Sequence, residues 1–163
     1  MSLDDESAEV LRSLLVGRNV AALATLHDGR PAASMIPFAV TRRAGGIRLV
    51  THVSRLAAHT GDMLAGPEVC LLITAPETAA MPQALPRVSI PAVAEFIPPR
   101  HPDYEASRAA YLAKYPQTAD LFQLGDFSIV AFTPLSARLV GGFARAHSLR
   151  AEALADALGE DVA

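Results

Sequence analysis

The amino-acid sequence predicts a mainly β fold with helices, of the α+β class, built around an antiparallel barrel. Apolar runs of strand length follow one another along the chain with short turn signals between them. Helical patterns interrupt these runs only intermittently, whereas a parallel sheet requires a helix after nearly every strand. The order of the patterns therefore favours hairpin-linked, antiparallel neighbours.

The size and composition of the chain predict one folded domain. Of the 163 residues, 51% are hydrophobic and 19% are charged, which is typical of a compact protein with a buried core. We expect a single domain over residues 1–163, with an N-terminal helix at about residues 4–15, a barrel at about residues 19–146 and a C-terminal helix at about residues 148–158.

Charge and hydropathy indicate which partners to expect. The formal net charge is −3 and the 14 basic residues form no cluster, so nucleic acid has no basic surface to bind. No apolar run approaches the roughly 20 residues of a membrane span, and we expect no membrane partner. The acidic start "MSLDDESAEVLRSLL" lacks the features of a secretion signal, which predicts a cytoplasmic protein.

The first half of the chain begins with a helix pattern and continues with strands. In "DDESAEVLRSLL" the apolar residues recur at helical spacing behind an acidic first turn. The segment "NVAALATLHDGRPAASMIPFAV" predicts two strands joined by a hairpin turn at Asp28-Gly29. A third strand is predicted at "IRLVTHV", a helix beginning at Arg55, and a fourth strand at "EVCLLIT".

The second half completes the sheet. "APETAAMPQALP" predicts an irregular segment, and "RVSIPAVAEFI" a long strand with a bulge or a sheet edge at Pro91, because proline lacks the N–H that a ladder uses. "HPDYEASRAAYLAKYP" predicts a helix with Pro102 near its start and Pro116 beyond its end. "FSIVAFTPL" and "ARLVGGF" predict the last strands, and "SLRAEALADAL" the terminal helix.

Four of these segments, in order, carry a family resemblance. "ALATLHDGRPAASMIPF", "SRLAAHTGDMLAGPEVCLLIT", "PRVSIPAVAEFI" and "GDFSIVAFTPLSARLVGGFARAH" together resemble the FMN-binding split barrels of the pyridoxamine 5′-phosphate oxidase type, nearest the haem-utilisation subgroup. The resemblance extends from about Asn19 to His147. It implies a six-stranded antiparallel split barrel that forms a homodimer and holds FMN at the subunit interface.

The segment "VTHVSRLAAHTGDML" predicts a site for the FMN phosphate. If Ser54 caps the following helix, the free N–H groups of the first turn can bind an anion. Arg55 adds a charged donor, His59 falls on the same helix face four residues later, and Thr60 lies beside it. The alternative interpretation makes Ser54 an ordinary cap, Arg55 a solvated charge and His59 a surface histidine.

The resemblance adds three further candidates for the cofactor site. Ser34 lies on the strand after the first hairpin, where the oxidases proper carry a phosphate-binding arginine and the haem-utilisation subgroup has serine. Met35 is then a candidate wall of the flavin ring, and Thr51 a candidate polar contact to the ring edge. The alternative for Ser34 is an ordinary strand serine.

The segment "GGFARAH" provides candidates for a ligand cavity. The resemblance implies that it lies near the flavin, so Arg145 is a candidate partner for a carboxylate or an anionic flavin edge. His147 is a candidate haem ligand, since imidazole commonly binds haem iron, although a solvated histidine is the commoner case at such a position. The five histidines are scattered without metal-ligand spacing, so we expect no protein-bound metal ion.

Two functions remain open from the sequence. The first is an FMN-dependent oxidoreductase, and the second is a non-catalytic flavin or haem carrier or sensor. Ala39 stands where a true pyridoxamine-phosphate oxidase is expected to carry lysine, and the larger haem-degrading relatives have a further C-terminal domain. The residues present therefore support neither vitamin B6 oxidation nor haem degradation, and they identify no catalytic side chain.

Overall fold

The computed structural model describes residues 3–77, 81–142 and 145–159. Within these ranges the chain forms four α-helices and nine strands. The elements, in chain order, are α1 Asp5–Gly17, β1 Val20–His27, β2 Arg30–Pro37, β3 Ala39–Arg43, β4 Gly46–Ser54, α2 Ala58–Ala65, β5 Glu68–Thr74, β6 Arg87–Ile97, α3 Tyr104–Lys114, β7 Phe127–Pro134, β8 Ser136–Gly142, β9 Arg145–Arg150 and α4 Glu152–Leu158. No helix in the described part of the chain is long and apolar enough to cross a membrane.

The strands form one sheet in which every neighbouring pair is antiparallel. The order is β2-β1-β5-β6-β7-β4-β3, and β8 and β9 extend it from the first residues of β6. The predicted mainly β class is confirmed, but the described ranges contain nine strands where six were expected. One extra strand arises because the second predicted strand divides at Phe38, whose N–H is shared between the Tyr115 hydroxyl at 3.2 Å and the Asn19 carbonyl at 3.3 Å.

The first hairpin has the turn that its sequence predicts. Asp28 and Gly29 both have positive φ, at 50° and 74°. This geometry suits the twist of an antiparallel pair and requires residues that tolerate the left-handed region. The turn sets the register of β1 and β2, in which Leu23 lies opposite Ser34.

Pro91 lies where β6 changes its partner strand, and the register of the pairing shifts there by one residue, so the predicted bulge is present. It lies in the middle of β6, opposite Cys70 of β5. On the other edge of β6, residues 87–89 pair with β8 and residues 92–97 pair with β7. Pro91 sits between these two ladders, where no strand requires its missing N–H, and its carbonyl accepts the Leu135 N–H at 2.9 Å.

The N-terminal helix agrees with its prediction, whereas the C-terminal helix begins later in the chain than predicted. The N-terminal helix is confirmed, and Asp4 caps it by accepting the Ser7 N–H at 2.7 Å. At the other end, Ser148–Arg150 were expected to begin a helix, but they extend β9 and pair with Ser136–Arg138 of β8. Helix α4 starts only at Glu152. The backbone partners in β8 outweigh the helical propensity of the segment.

The interior consists of two apolar clusters on opposite faces of β4. The larger cluster fills the barrel and is closed by α1, α2 and α4; the smaller one lies between β4, β7 and α3. Seven consecutive residues of β4, from Ile47 to Val53, are therefore buried. Because both faces are covered, the polar side chains of Arg48, Thr51 and His52 are buried along with the apolar residues of this strand.

Candidate functional site

The junction between β4 and α2 does not have the predicted capping. Helix α2 begins at Ala58, and its cap residue, Ala57, makes no side-chain hydrogen bond to it. The Ser54 hydroxyl accepts the Leu56 N–H at 3.1 Å and donates to Asp126 Oδ2 at 3.2 Å. The prediction that Ser54 caps the helix is wrong, because residues 55–57 first form a turn that Ser54 stabilises.

Arg55 and His59 face different cavities. Arg55 precedes the helix, so the four-residue spacing does not place it on the same helix face as His59. Its guanidinium donates to the Gly125 carbonyl, and its side chain lines a cavity of about 620 Å³ that also contains His52. Thr60 is buried and donates to the Ser54 carbonyl at 2.7 Å, which attaches the helix to the strand end.

A second cavity, of about 360 Å³, brings Ser34 and His59 together, and we call it the Ser34–His59 cavity. It lies between the β1–β2 hairpin and α2. The Ser34 Oγ is buried and has no hydrogen-bond partner. Buried hydroxyls without a partner are rare in proteins, so this atom is available to a ligand.

The start of α2 and Arg30 give this cavity a positive character. Ala58 and His59, the first two residues of the helix, line it. N–H groups at a helix start have no partner within the helix and attract anions. Arg30, which carries a positive charge, belongs to the same lining. Burial lowers the pKa of His59, with partial compensation from the Asp62 carboxylate, so at neutral pH its imidazole is a neutral hydrogen-bonding group.

The carboxylate of Asp62 also lines the cavity, and two side chains hold it. Asp62 accepts from the Thr25 hydroxyl at 2.8 Å and lies 2.6 Å from Nδ1 of His27. These hydrogen bonds lower the pKa of Asp62, and the same contact raises the pKa of His27. The raised pKa of His27 favours a protonated imidazole beside Asp62, which offsets part of the negative charge that the carboxylate brings to the cavity.

Sequence reasoning missed this cluster, although one signal was present. Thr25 continues the inward-facing series of β1 after Ala21 and Leu23, and all three are buried. A polar residue at a core position of a strand indicates a buried partner. The identity of that partner, 37 residues away along the chain, is decided by how α2 packs on β1.

Met35 and Thr51 lie outside the Ser34–His59 cavity. Met35 is 62% exposed on the outer face of β2, and Thr51 is fully buried on β4 with no hydrogen-bond partner for its Oγ1. Arg145 and His147 lie at α1: Arg145 pairs with Glu6 at 2.5 Å, and Nε2 of His147 lies 3.2 Å from the Ser7 hydroxyl. Their predicted ligand cavity is therefore not the cavity that contains Ser34.

Over residues 3–77, 81–142 and 145–159, no group of three or more His, Cys, Asp or Glu side chains is placed to hold a metal ion. The donor set of the Ser34–His59 cavity, with a hydroxyl, a guanidinium, an imidazole and N–H groups, suits an oxyanion such as a phosphate or a carboxylate.

The antiparallel sheet, with α2 packed on β1, has the architecture of a split barrel. Residues 4–141 match the family model described as pyridoxamine 5′-phosphate oxidase, and the chain belongs to that family. The resemblance noted from the sequence motifs is thereby confirmed.

Several relatives have names that refer to haem. The chain is 36% identical over 141 residues to the non-canonical haem oxygenase HOZ, chloroplastic, of Arabidopsis thaliana, covering 85% of this chain and 41% of that protein. It is similar to a haem-binding protein from Mycobacterium smegmatis, with 32% identity and a TM-score of 0.79, over 92% of this chain and 60% of the other. HutZ, a haem storage protein from Vibrio cholerae, has 26% identity and a TM-score of 0.67, over 82% and 91% of the two chains. The chain thus spans less than two thirds of the first two relatives.

Proposed function

We propose that the protein is a flavin-dependent oxidoreductase that binds FMN with its phosphate in the Ser34–His59 cavity. The observation that carries the proposal is the buried Ser34 Oγ without a partner, in a cavity that also contains the start of α2. A phosphate oxygen would accept from this hydroxyl and from the N–H groups of Ala58 and His59. The Thr60 N–H, in contrast, already donates to the Ala57 carbonyl at 3.0 Å.

When bound, FMN supplies the transfer of electrons or hydride. The chain's own residues bind and orient it. Ser34, His59 and Arg30 hold the phosphate, while Thr60 attaches α2 to the end of β4 and keeps the first turn in place. Ser54 stabilises the turn between β4 and α2, and Arg55 lines the neighbouring cavity. Met35 and Thr51 remain predictions for the flavin ring.

The second candidate function is haem binding without catalysis. It is favoured by the haem-related names of the relatives from Arabidopsis, Mycobacterium and Vibrio. The carboxylate of a haem propionate has the same acceptor chemistry as a phosphate and suits the same donors. His147 remains a predicted ligand of the haem iron. Binding iron through Nε2 requires the contact between this atom and the Ser7 hydroxyl to break.

We also propose a cytoplasmic homodimer. The outer face of β1, β2 and β5 is apolar, and its exposed members include Val20, Leu26, Met35 and Leu72, at 38–62% exposure. An apolar face of this kind needs cover, and a second copy of the chain provides it with two-fold symmetry.

Ligand titration separates these candidates. Ser34→Ala and His59→Ala should weaken FMN about tenfold or more, as expected for a hydrogen bond to a charged group, and leave riboflavin unchanged because it has no phosphate. Ser13→Ala, an exposed serine of α1, is the control. Equal losses for FMN and riboflavin would place the phosphate elsewhere.

Two further outcomes decide between the functions. Reduction of the bound flavin by a reduced nicotinamide, followed in the visible spectrum, would support the oxidoreductase. Protein that binds no FMN, but shifts the Soret band of added haemin in a manner that depends on His147, would overturn the flavin proposal in favour of haem.

A further inference from the structure

We propose that the groove beside Lys114 is a binding site for apolar aldehydes, which form a reversible imine with the Lys114 amine. This site is separate from the Ser34–His59 cavity and does not depend on the proposed flavin function. The groove has a volume of about 520 Å³ and lies between α1, β3 and α3. Lys114, the last residue of α3, is the only lysine of the chain.

The walls of the groove are apolar and small. Leu15 and Val16 of α1 form one side, and Ala39 and Val40 of β3 the floor. The facing side of α3 consists of alanines at helical spacing, namely Ala106, Ala109, Ala110 and Ala113. None of the described lining residues is acidic. The groove therefore offers space for a hydrocarbon chain and no group that would bind a polar ligand, except for the lysine.

The groups that contact the Lys114 ammonium stabilise its positive charge although they carry no negative charge themselves. Its Nζ donates to the Arg18 carbonyl at 2.5 Å, just beyond the end of α1, and lies 4.4 Å from the centre of the Phe38 ring and 5.8 Å from that of Tyr115. In the described ranges, none of the ion pairs includes Lys114. Helix C-termini and aromatic faces both stabilise positive charge.

The groups around Lys114 disfavour a carboxylate ligand and favour a protonated imine. A carboxylate at this position would meet the negative end of α1 and of α3. A protonated imine keeps the positive charge on nitrogen, so the carbonyl and the aromatic contacts remain favourable. Partial burial lowers the pKa of Lys114 to about 8, which leaves a usable fraction of neutral, nucleophilic amine near neutral pH.

The chemistry is balanced without a further reactant. The amine nitrogen attacks the carbonyl carbon, the carbonyl oxygen leaves as water, and a C=N bond replaces the C=O bond. No electron is gained or lost, and addition of water reverses the step. The chain of the aldehyde then lies along the alanine side of the groove.

Reductive trapping tests the site on the full-length protein. Hexanal or acetaldehyde is added with cyanoborohydride, and labelling of Lys114 is measured by peptide mass spectrometry. The ratio of the hexanal rate to the acetaldehyde rate should exceed that of Nα-acetyllysine amide by about tenfold, since four additional methylenes are partly buried in the groove. Lys114→Arg should abolish labelling in this peptide.

Variants and a competitor locate the chain of the aldehyde. Ala109→Leu fills the groove and should remove the preference for hexanal, whereas Ala119→Leu, at an exposed alanine outside the groove, should keep it. An excess of 1-hexanol, which cannot form an imine, should slow the labelling of the unchanged protein by hexanal. Equal rate ratios in the protein and in the free lysine amide, or no effect of hexanol, would overturn the proposal.

Discussion

At the scale of single residues, His52 is an ionisable group that is buried among aromatic rings. Its ring stacks on Phe122 with centroids 3.8 Å apart and an interplanar angle of 5°, and Phe127 and Tyr111 lie within 6.0 Å. Nδ1 is buried without a partner. Burial lowers the pKa of His52 to about 4, so the imidazole is neutral at physiological pH.

This depressed pKa predicts a loss of stability in acid. In the unfolded chain His52 takes up a proton near its ordinary pKa of 6.5, whereas the folded protein resists protonation until about pH 4. The contribution is therefore present above pH 6.5 and is lost as the pH falls towards 4, on the order of 2 to 3 kcal/mol. His52→Phe should keep the stack and reduce this loss.

Urea unfolding at pH 7 and pH 4.5 measures the effect. The difference in unfolding free energy between the two pH values should be smaller for His52→Phe than for the unchanged protein. An identical difference in both proteins would show that other groups cause the acid sensitivity.

At the scale of elements, one tyrosine joins three segments. The Tyr115 hydroxyl, just after α3, donates to the carbonyl of Asn19 (2.5 Å) or of Phe38 (2.7 Å) and accepts the Phe38 N–H at 3.2 Å. It thus connects α3 to the entrance of β1 and to the break between β2 and β3. These hydrogen bonds give the backbone N–H and carbonyl of Phe38 a partner. The chain can therefore leave the sheet ladder at Phe38 without leaving a buried polar group unpaired.

Removal of this hydroxyl should destabilise the protein without affecting the cofactor. Tyr115→Phe leaves buried backbone groups with fewer partners, at a cost of about 1 to 3 kcal/mol in unfolding free energy. Tyr104→Phe, which removes a hydroxyl at the other end of α3, is the control. Chemical denaturation provides the measurement, and a cost equal to that of the control would show that Tyr115 does not stabilise this junction.

At the scale of the whole molecule, the two faces of the sheet differ. The inner face packs against α1, α2 and α4, while the outer face of β1, β2 and β5 is apolar and exposed. The proposed dimer covers this outer face. The Ser34–His59 cavity opens from the inner side of the same strands, so a partner on the outer face would lie across the sheet from this cavity.

A charge on the outer face should therefore dissociate the dimer. Leu72→Glu would place a carboxylate in the middle of the apolar face, and its burial without a partner would cost more than the interface gains. Sedimentation should show a monomer for this variant and a dimer for the control Leu124→Glu, a similarly exposed leucine after α3. If both variants sediment as dimers, the second copy binds elsewhere.

Local patterns in the sequence determined the class of the fold. The apolar run of β1, the Asp28-Gly29 turn and the spacing of apolar residues in α1 each depend on neighbours within a few residues, and all three match the structure. Several separated motifs of this kind in one order also determined the family. The backbone preferences that produce them act locally and can be read from the chain.

The partners of the site residues were decided only by the tertiary structure. The sequence placed Ser54, Arg55 and His59 together by their spacing, but Ser54 binds Asp126 and Arg55 faces the cavity of His52. His59 meets Ser34 instead, across the packing of α2 on β1. The pairs Ser54–Asp126 and Ser34–His59 are each more than 20 positions apart. Their contacts depend on the register of the sheet and the docking of a helix, which no local pattern encodes.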